Sequence, residues 1–224
     1  MSTGPQAIRI EIDEKVGSIS GLVLAPPDAR ACYVLGHGAG AGMSHSFMAA
    51  AAEGLAERGI ATLRYQFPYM ERGSKRTDPP ATAHAAVRAA VAQAAIVCGG
   101  LRLFAGGKSF GGRMTSQAQA LAPLPGVEGL VFLGFPLHPD GAPSSVRAEH
   151  LREVSIPMLF VQGTRDKLAE FPRIEALAAE LGERATLLRI DEADHSFHVL
   201  ARFGRKDSEV MQQLLDGVAA WILR

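Results

Sequence analysis

Six continuous, mostly apolar runs constrain this chain most: Cys32 to Leu35, Ala61 to Tyr65, Leu101 to Ala105, Gly129 to Leu133, Met158 to Gln162 and Thr186 to Ile190. A strand with one wet face alternates apolar and polar residues, so unbroken runs of this length suit strands covered on both faces. Between the runs lie stretches of helical periodicity, at Ser46 to Arg58, Pro79 to Val97, Phe110 to Leu121, Pro172 to Leu181 and Ser208 to Leu223. Strand and helix taken in turn predict crossover units on a mostly parallel sheet, an α/β fold with helices on both faces. Two earlier segments, Ile8 to Ile12 and Ile19 to Leu24, do alternate, and predict an antiparallel hairpin that brings the sheet to about eight strands. Asp78 before Pro79 reads as a helix N-cap, with Gly99 and Gly100 beyond the helix's end.

At 224 residues, 47% of them hydrophobic, the chain is expected to form a single domain over residues 1–224. Its 23 basic residues are matched by 23 acidic ones, which leaves no excess to neutralise phosphates and argues against nucleic acid as a partner. No basic, apolar leader is visible from Met1 to Asp13, and no segment reaches the roughly 20 apolar residues needed to cross a bilayer. The expected setting is cytoplasmic, with no membrane partner. Cys32 and Cys98 stand among apolar residues with no ligand at metal spacing, so both are expected reduced and buried. Oligomeric state is left open.

The segment from Leu101 to Met114 carries the chemistry. An apolar strand runs directly into Gly107-Lys108-Ser109-Phe110-Gly111 and then into helical sequence, which is G-x-S-x-G in a strand, turn and helix context. The glycines are needed because a serine lifted above a sheet edge sits on a turn with no room for neighbouring Cβ atoms. The N–H of Phe110, at the start of the new helix, points where an oxyanion would form. A serine hydroxyl is a poor nucleophile until a base takes its proton and a carboxylate orients that base. Ser109 therefore predicts an acid and a histidine at later strand ends.

Asp166 follows the run Met158 to Gln162, and His195 follows Thr186 to Ile190. Ends of parallel strands are where open α/β sheets build their sites. Asp140 is the substitute acid; His198 is the competing histidine, but lies further from its strand and reads as a helix-side residue. Asp194 is expected to point away. The second oxyanion donor should come from the glycine-rich loop Gly36 to Gly42, with Ala39 as the donor. Two rival readings of these glycines fail. A phosphate-binding G-x-x-x-x-G-K-S loop would need glycine at Arg102, and a dinucleotide fingerprint at Gly36, Gly38 and Ala41 lacks a helix starting early enough to hold a pyrophosphate.

Four segments, Gly106 to Arg113, His37 to Gly40, Phe67 to Glu71 and Pro136 to Pro139, together with the order Ser109, Asp166, His195, resemble the α/β-hydrolase superfamily over nearly the whole chain. They are most similar to a small dienelactone-hydrolase-like branch that includes hydrolase-like domains of a chromatin-complex subunit and of a testis-expressed protein. The resemblance implies the α/β-hydrolase fold, a Ser109-His195-Asp166 triad, and carboxylesterase-like hydrolysis with no cofactor and no metal. Dienelactone hydrolases proper use a cysteine nucleophile where this chain has Ser109. The expected substrate is a small ester or thioester, an amide being the less favoured bond. The alternative is a binding or scaffold protein on the same fold, as some members of the branch serve in assemblies.

Basic residues flank the nucleophile. Lys108 and Arg113, with Arg72, Lys75 and Arg76 from a loop at the same sheet edge, predict a cationic rim suited to an anionic substrate, with His37 as a further substrate contact; solvated surface charge is the competing reading. Two irregular loops are longer than connection requires: Phe67 to Thr77, with four charged residues after Tyr69, and Pro136 to Ser145, about ten residues with three prolines; the second stands where larger hydrolases insert a cap, so little or no lid is expected.

Overall fold

A computed structural model describes residues 4–224; the first three residues of the N-terminal stretch read above as carrying no leader lie outside the described residues. Eight strands form one sheet: β1 (Gln6–Asp13), β2 (Gly17–Leu24), β3 (Ala31–Gly36), β4 (Ile60–Tyr65), β5 (Arg102–Lys108), β6 (Val127–Leu133), β7 (Met158–Gly163) and β8 (Ala185–Ile190). Their order across the sheet is β1-β2-β4-β3-β5-β6-β7-β8. The first two strands pair antiparallel with each other, β2 pairs antiparallel with β4, and every pairing from β4 through β8 is parallel. The division follows the sequence pattern. β1 and β2 alternate apolar with polar, whereas every residue of β3, β4 and β7 is buried.

The helices are α1 (Ser46–Ala56), α2 (Pro68–Glu71), α3 (Pro80–Val97), α4 (Phe110–Leu121), α5 (Phe171–Leu181) and α6 (Asp207–Ile222). One core layer gathers Val87, Val91, Met114 and Ile174 from α3, α4 and α5 against one face of the sheet. The opposite layer gathers Met48, Leu55, Val210, Leu214 and Val218 from α1 and α6. Trp221 of α6 closes that layer over Phe104, their rings 5.8 Å apart, and its indole N–H donates to Thr186. Both cysteines are buried and free. Among the described residues no helix is long and apolar enough to cross a membrane.

Two local readings need correction. Asp78 does not cap α3; Pro79 holds the N-cap position and Pro80 opens the helix. Asp78 instead turns inward, its carboxylate accepting from the Tyr69 N–H at 2.7 Å and from the Arg72 guanidinium at 2.6 Å. Two prolines preset the first turn, which frees the carboxylate to anchor the loop before it. The loop Phe67 to Thr77 is not wholly irregular either, because Pro68 starts the short helix α2. Between β6 and β7 the chain makes only the turns of Pro136 to Ser145 and a 3-10 segment, Val146–Glu153, so no cap covers the sheet's carboxyl edge.

Candidate active site

The site grows from a close approach of backbones. Gly107 has φ +151°, and a Cβ there would sit 2.2 Å from the Gly36 carbonyl oxygen; a Cβ on Gly111 would lie 2.4 Å from the same carbonyl. Only residues without side chains let β5 and the start of α4 pass this close to β3. Between them Ser109 adopts φ 51°, a left-handed conformation that a non-glycine residue takes only where its surroundings enforce it. The result is a serine held above the sheet at the mouth of a helix.

Its hydroxyl lies 2.8 Å from His195 Nε2, and His195 Nδ1 lies 2.7 Å from Asp166 Oδ2. With Asp166 as acceptor, Nδ1 carries the proton and Nε2 is the acceptor for the serine O–H. Asp166 is buried and its remaining acceptor capacity is used: Gln162 Nε2 donates to Oδ2 at 2.6 Å and the Leu168 N–H to Oδ1 at 2.8 Å. Together with the bond to His195, these contacts fix the buried carboxylate in direction. Asp140, the substitute acid, is exposed and not needed. Asp194 accepts from the N–H groups of Ser196 and His198, which shapes the turn carrying His195, and His198 pairs with Asp207 at the start of α6.

The two expected oxyanion donors are available. Among the described residues neither the Ala39 N–H nor the Phe110 N–H has a hydrogen-bond partner, while their neighbours do: Gly40 N–H donates to the Tyr69 hydroxyl at 2.8 Å and Ala41 N–H to the Gly38 carbonyl at 3.1 Å. The loop that presents Ala39 is thus held from outside by α2, and α2 in turn by Asp78.

Of the basic residues expected at the rim, only Lys108 lines the cavity at Ser109. His37 faces the interior, fully buried, its Nδ1–H donating to the Gly38 carbonyl at 2.8 Å and its Nε2 accepting from the Phe67 N–H at 3.1 Å. Burial pushes its pKa down to about 4, so it is a neutral strut under the Ala39 loop and has no ring nitrogen left for a substrate. Arg72 is spent on Asp78. Arg113 lies over the Phe110 ring, 5.9 Å from its centroid, and does not line the cavity at Ser109. Lys108 alone of the four lines it, but its ammonium donates to the His195 carbonyl oxygen at 2.6 Å. The sequence places these charges near Ser109 along the chain; their partners come from elements distant in sequence.

That cavity holds about 360 Å³ and opens onto Ser109 and His195. Phe47 and Met48 of α1, Ala39, Ala41 and Leu168 make most of its wall apolar. Three supporting residues were beyond sequence reasoning: Gln162, which bridges Asp166 and the Phe135 N–H, and Tyr69 and Asp78, which brace the oxyanion loop. In the sequence, Tyr69 is marked only by the segment Phe67 to Glu71, and Asp78 only by its place before Pro79.

Comparison with known proteins decides the family. Residues 29–223 match the family model of the alpha/beta hydrolase domain. The chain belongs to the alpha/beta hydrolase family. This hydrolase is similar throughout to a dienelactone hydrolase from Anabaena variabilis, with 20% identity, TM-score 0.76, and 99% of this chain and 98% of that one covered. It is similar also to a serine hydrolase without a lid from Xanthomonas campestris, at 22% identity, TM-score 0.73, and 99% and 96% coverage. Est1E from Butyrivibrio proteoclasticus superposes with TM-score 0.68 at 17% identity, covering 97% of this chain and 100% of that one. At these identities the structures share the fold.

Proposed function

We propose that this alpha/beta hydrolase is a serine esterase acting on small esters or thioesters through an acyl-enzyme. The observation that carries the reading is the continuous line from Ser109 Oγ through His195 to a buried, fully hydrogen-bonded Asp166, beside an open cavity. Ser109 attacks the substrate carbonyl while His195 Nε2 takes its proton. The oxyanion is received by the N–H groups of Phe110 and Ala39, and the imidazolium by Asp166. His195 then protonates the leaving alcohol or thiol, and water repeats the sequence on the acyl-serine to release the acid. The largely apolar wall of Phe47, Met48 and Leu168 favours an uncharged acyl or alcohol group over the anionic one expected from sequence.

The scaffold alternative calls for a blocked or misaligned serine, and neither condition fits this geometry. The test is labelling with a fluorophosphonate probe and turnover of short p-nitrophenyl esters, each compared with Ser109→Ala. Labelling and turnover in wild type, lost in the variant, are expected. A wild-type serine that resists the probe, with ester turnover equal to the variant's, refutes the esterase.

A further inference from the structure

Lys108 occupies the variable position of the G-x-S-x-G turn, one residue before the nucleophile, and its ammonium is put to an unusual use. Nζ reaches from the end of β5 to the turn after β8 and donates to the main-chain carbonyl of His195 itself, at 2.6 Å. The Phe197 ring lies with its centroid 5.4 Å from Nζ, and the amine lies close enough to Gly134 that a Cβ there would come within 3.1 Å of it. The charged and titratable groups facing it are Asp166 after β7, and Asp194 and His195 after β8, with His45 across the cavity at the mouth of α1. Among the described residues no carboxylate approaches it closely enough to form an ion pair, so the His195 carbonyl is its one direct partner.

The turn it holds contains two non-glycine residues in left-handed conformation. Phe197 takes φ 63° and Glu192 φ 60°, both left-handed, and His195 between them is partly exposed at the cavity. Asp166 fixes the ring at Nδ1 and Asp194 ties the turn through the N–H groups of Ser196 and His198; the charge-assisted bond from Lys108 holds the carbonyl of His195 itself. Resting on the esterase reading, we propose that Lys108 is a positioning residue, clamping the backbone of His195 so that its ring spans Asp166 and Ser109. Burial among apolar groups lowers the ammonium's pKa to about 8, the neighbouring carboxylates opposing the shift. Above that pH the clamp loses its charge, and the proposal gives activity an alkaline limb that a Ser-His-Asp relay does not itself require.

The test is the pH dependence of kcat and KM for p-nitrophenyl acetate, with the rate of fluorophosphonate inactivation measured in parallel, in wild type, Lys108→Met and Lys108→Arg. Wild type is expected to lose activity from about pH 8 upward. Lys108→Met should lower kcat about 10- to 100-fold with KM changed less than about 2-fold, and should have no alkaline limb. Lys108→Arg, which keeps a permanently charged donor, should recover part of kcat and carry the limb beyond about pH 10. Wild-type kcat in Lys108→Met overturns the proposal, as does a lowered kcat with the alkaline limb unmoved. If the methionine variant does not fold, the arginine profile decides, an unshifted limb refuting the clamp. A wild type that takes up no probe refutes the esterase reading instead, so the two failures are distinct.

Discussion

Replacing Gly111 by alanine tests the physical origin of the site. The added Cβ would stand 2.4 Å from both the carbonyl carbon and oxygen of Gly36, against an ordinary contact of about 3.5 Å, so backbones must part by roughly 1 Å. Gly36 cannot retreat, because β3 is hydrogen-bonded on both sides, to β4 and β5. The start of α4 is held too, since Phe110 packs edge-on against Phe67 at 5.1 Å and against Tyr69 at 6.2 Å. Overpacking by one carbon costs about 1–3 kcal/mol, and two immobile backbones put this case near about 3. For a chain of this length each kcal/mol corresponds to about 2–4 °C, so the melting temperature should fall by about 6–12 °C. Movement of α4 also separates the Phe110 N–H from the Ala39 N–H, and loss of one oxyanion donor is worth about 10²–10³ in kcat. Thermal unfolding followed by circular dichroism, with ester kinetics on the folded variant at low temperature, reads both effects. Gly4→Ala, where nothing lies within 4 Å, is the control. A Gly111→Ala protein melting within about 1 °C of wild type would show that this close approach does not govern the elbow.

Asp166→Asn should reduce kcat by about 10⁴ with little change in KM, because an amide at this place no longer fixes the Nδ1–H tautomer of His195. Steady-state kinetics check it, and a loss under about 10-fold would remove Asp166 from the relay. Tyr69→Phe frees the Gly40 N–H and loosens the Ala39 loop; kcat should fall about 10-fold while the far-ultraviolet spectrum is unchanged. Lys108 also makes a stability prediction with a definite sign. Its folded-state pKa lies below an ordinary lysine's 10.5, at about 8, so between these values the unfolded chain binds more protons and stability rises with pH. At about 1.4 kcal/mol per unit the full gain is roughly 3 kcal/mol, less to the extent that the cavity wets the amine. Denaturant titrations at pH 7.5 and 10 should show this component in wild type and not in Lys108→Met; a variant with the wild-type slope would rule it out.

How much of this was legible in the chain follows from which interactions are local. The runs of β3, β4 and β7 reflect burial on two faces and the alternation in Ile8 to Ile12 burial on one; β8 breaks the rule, because at the sheet's edge it buries only Ile190 despite a similar run. Gly107 and Gly111 around Ser109 mark a turn whose tightness is a property of adjacent residues. Asp166 and His195 were legible because strand ends of a parallel sheet share one edge, so position along the chain translates into position in space. Charge did not translate. His37, Lys108, Arg72 and Arg113 stand close to the glycine loops or the nucleophile in sequence. The Phe67 N–H, the His195 carbonyl, the Asp78 carboxylate and the Phe110 ring settle what each does.

The sequence by itself determined the alternation of buried strand and helix, the serine on its glycine turn, and the order Ser109, Asp166, His195 at successive strand ends. These rest on backbone sterics and on periodic burial, which a short window of residues contains. Tertiary structure alone decided that, of the basic residues near Ser109 in the chain, only Lys108 lines a mostly apolar cavity. It also decided which groups Gln162, Tyr69 and Asp78 bond, and that the Lys108 ammonium meets the His195 carbonyl. A long polar side chain can reach several partners, and which one it meets depends on elements dozens of residues away. Folding brings those elements together, and at that point each buried donor finds its acceptor.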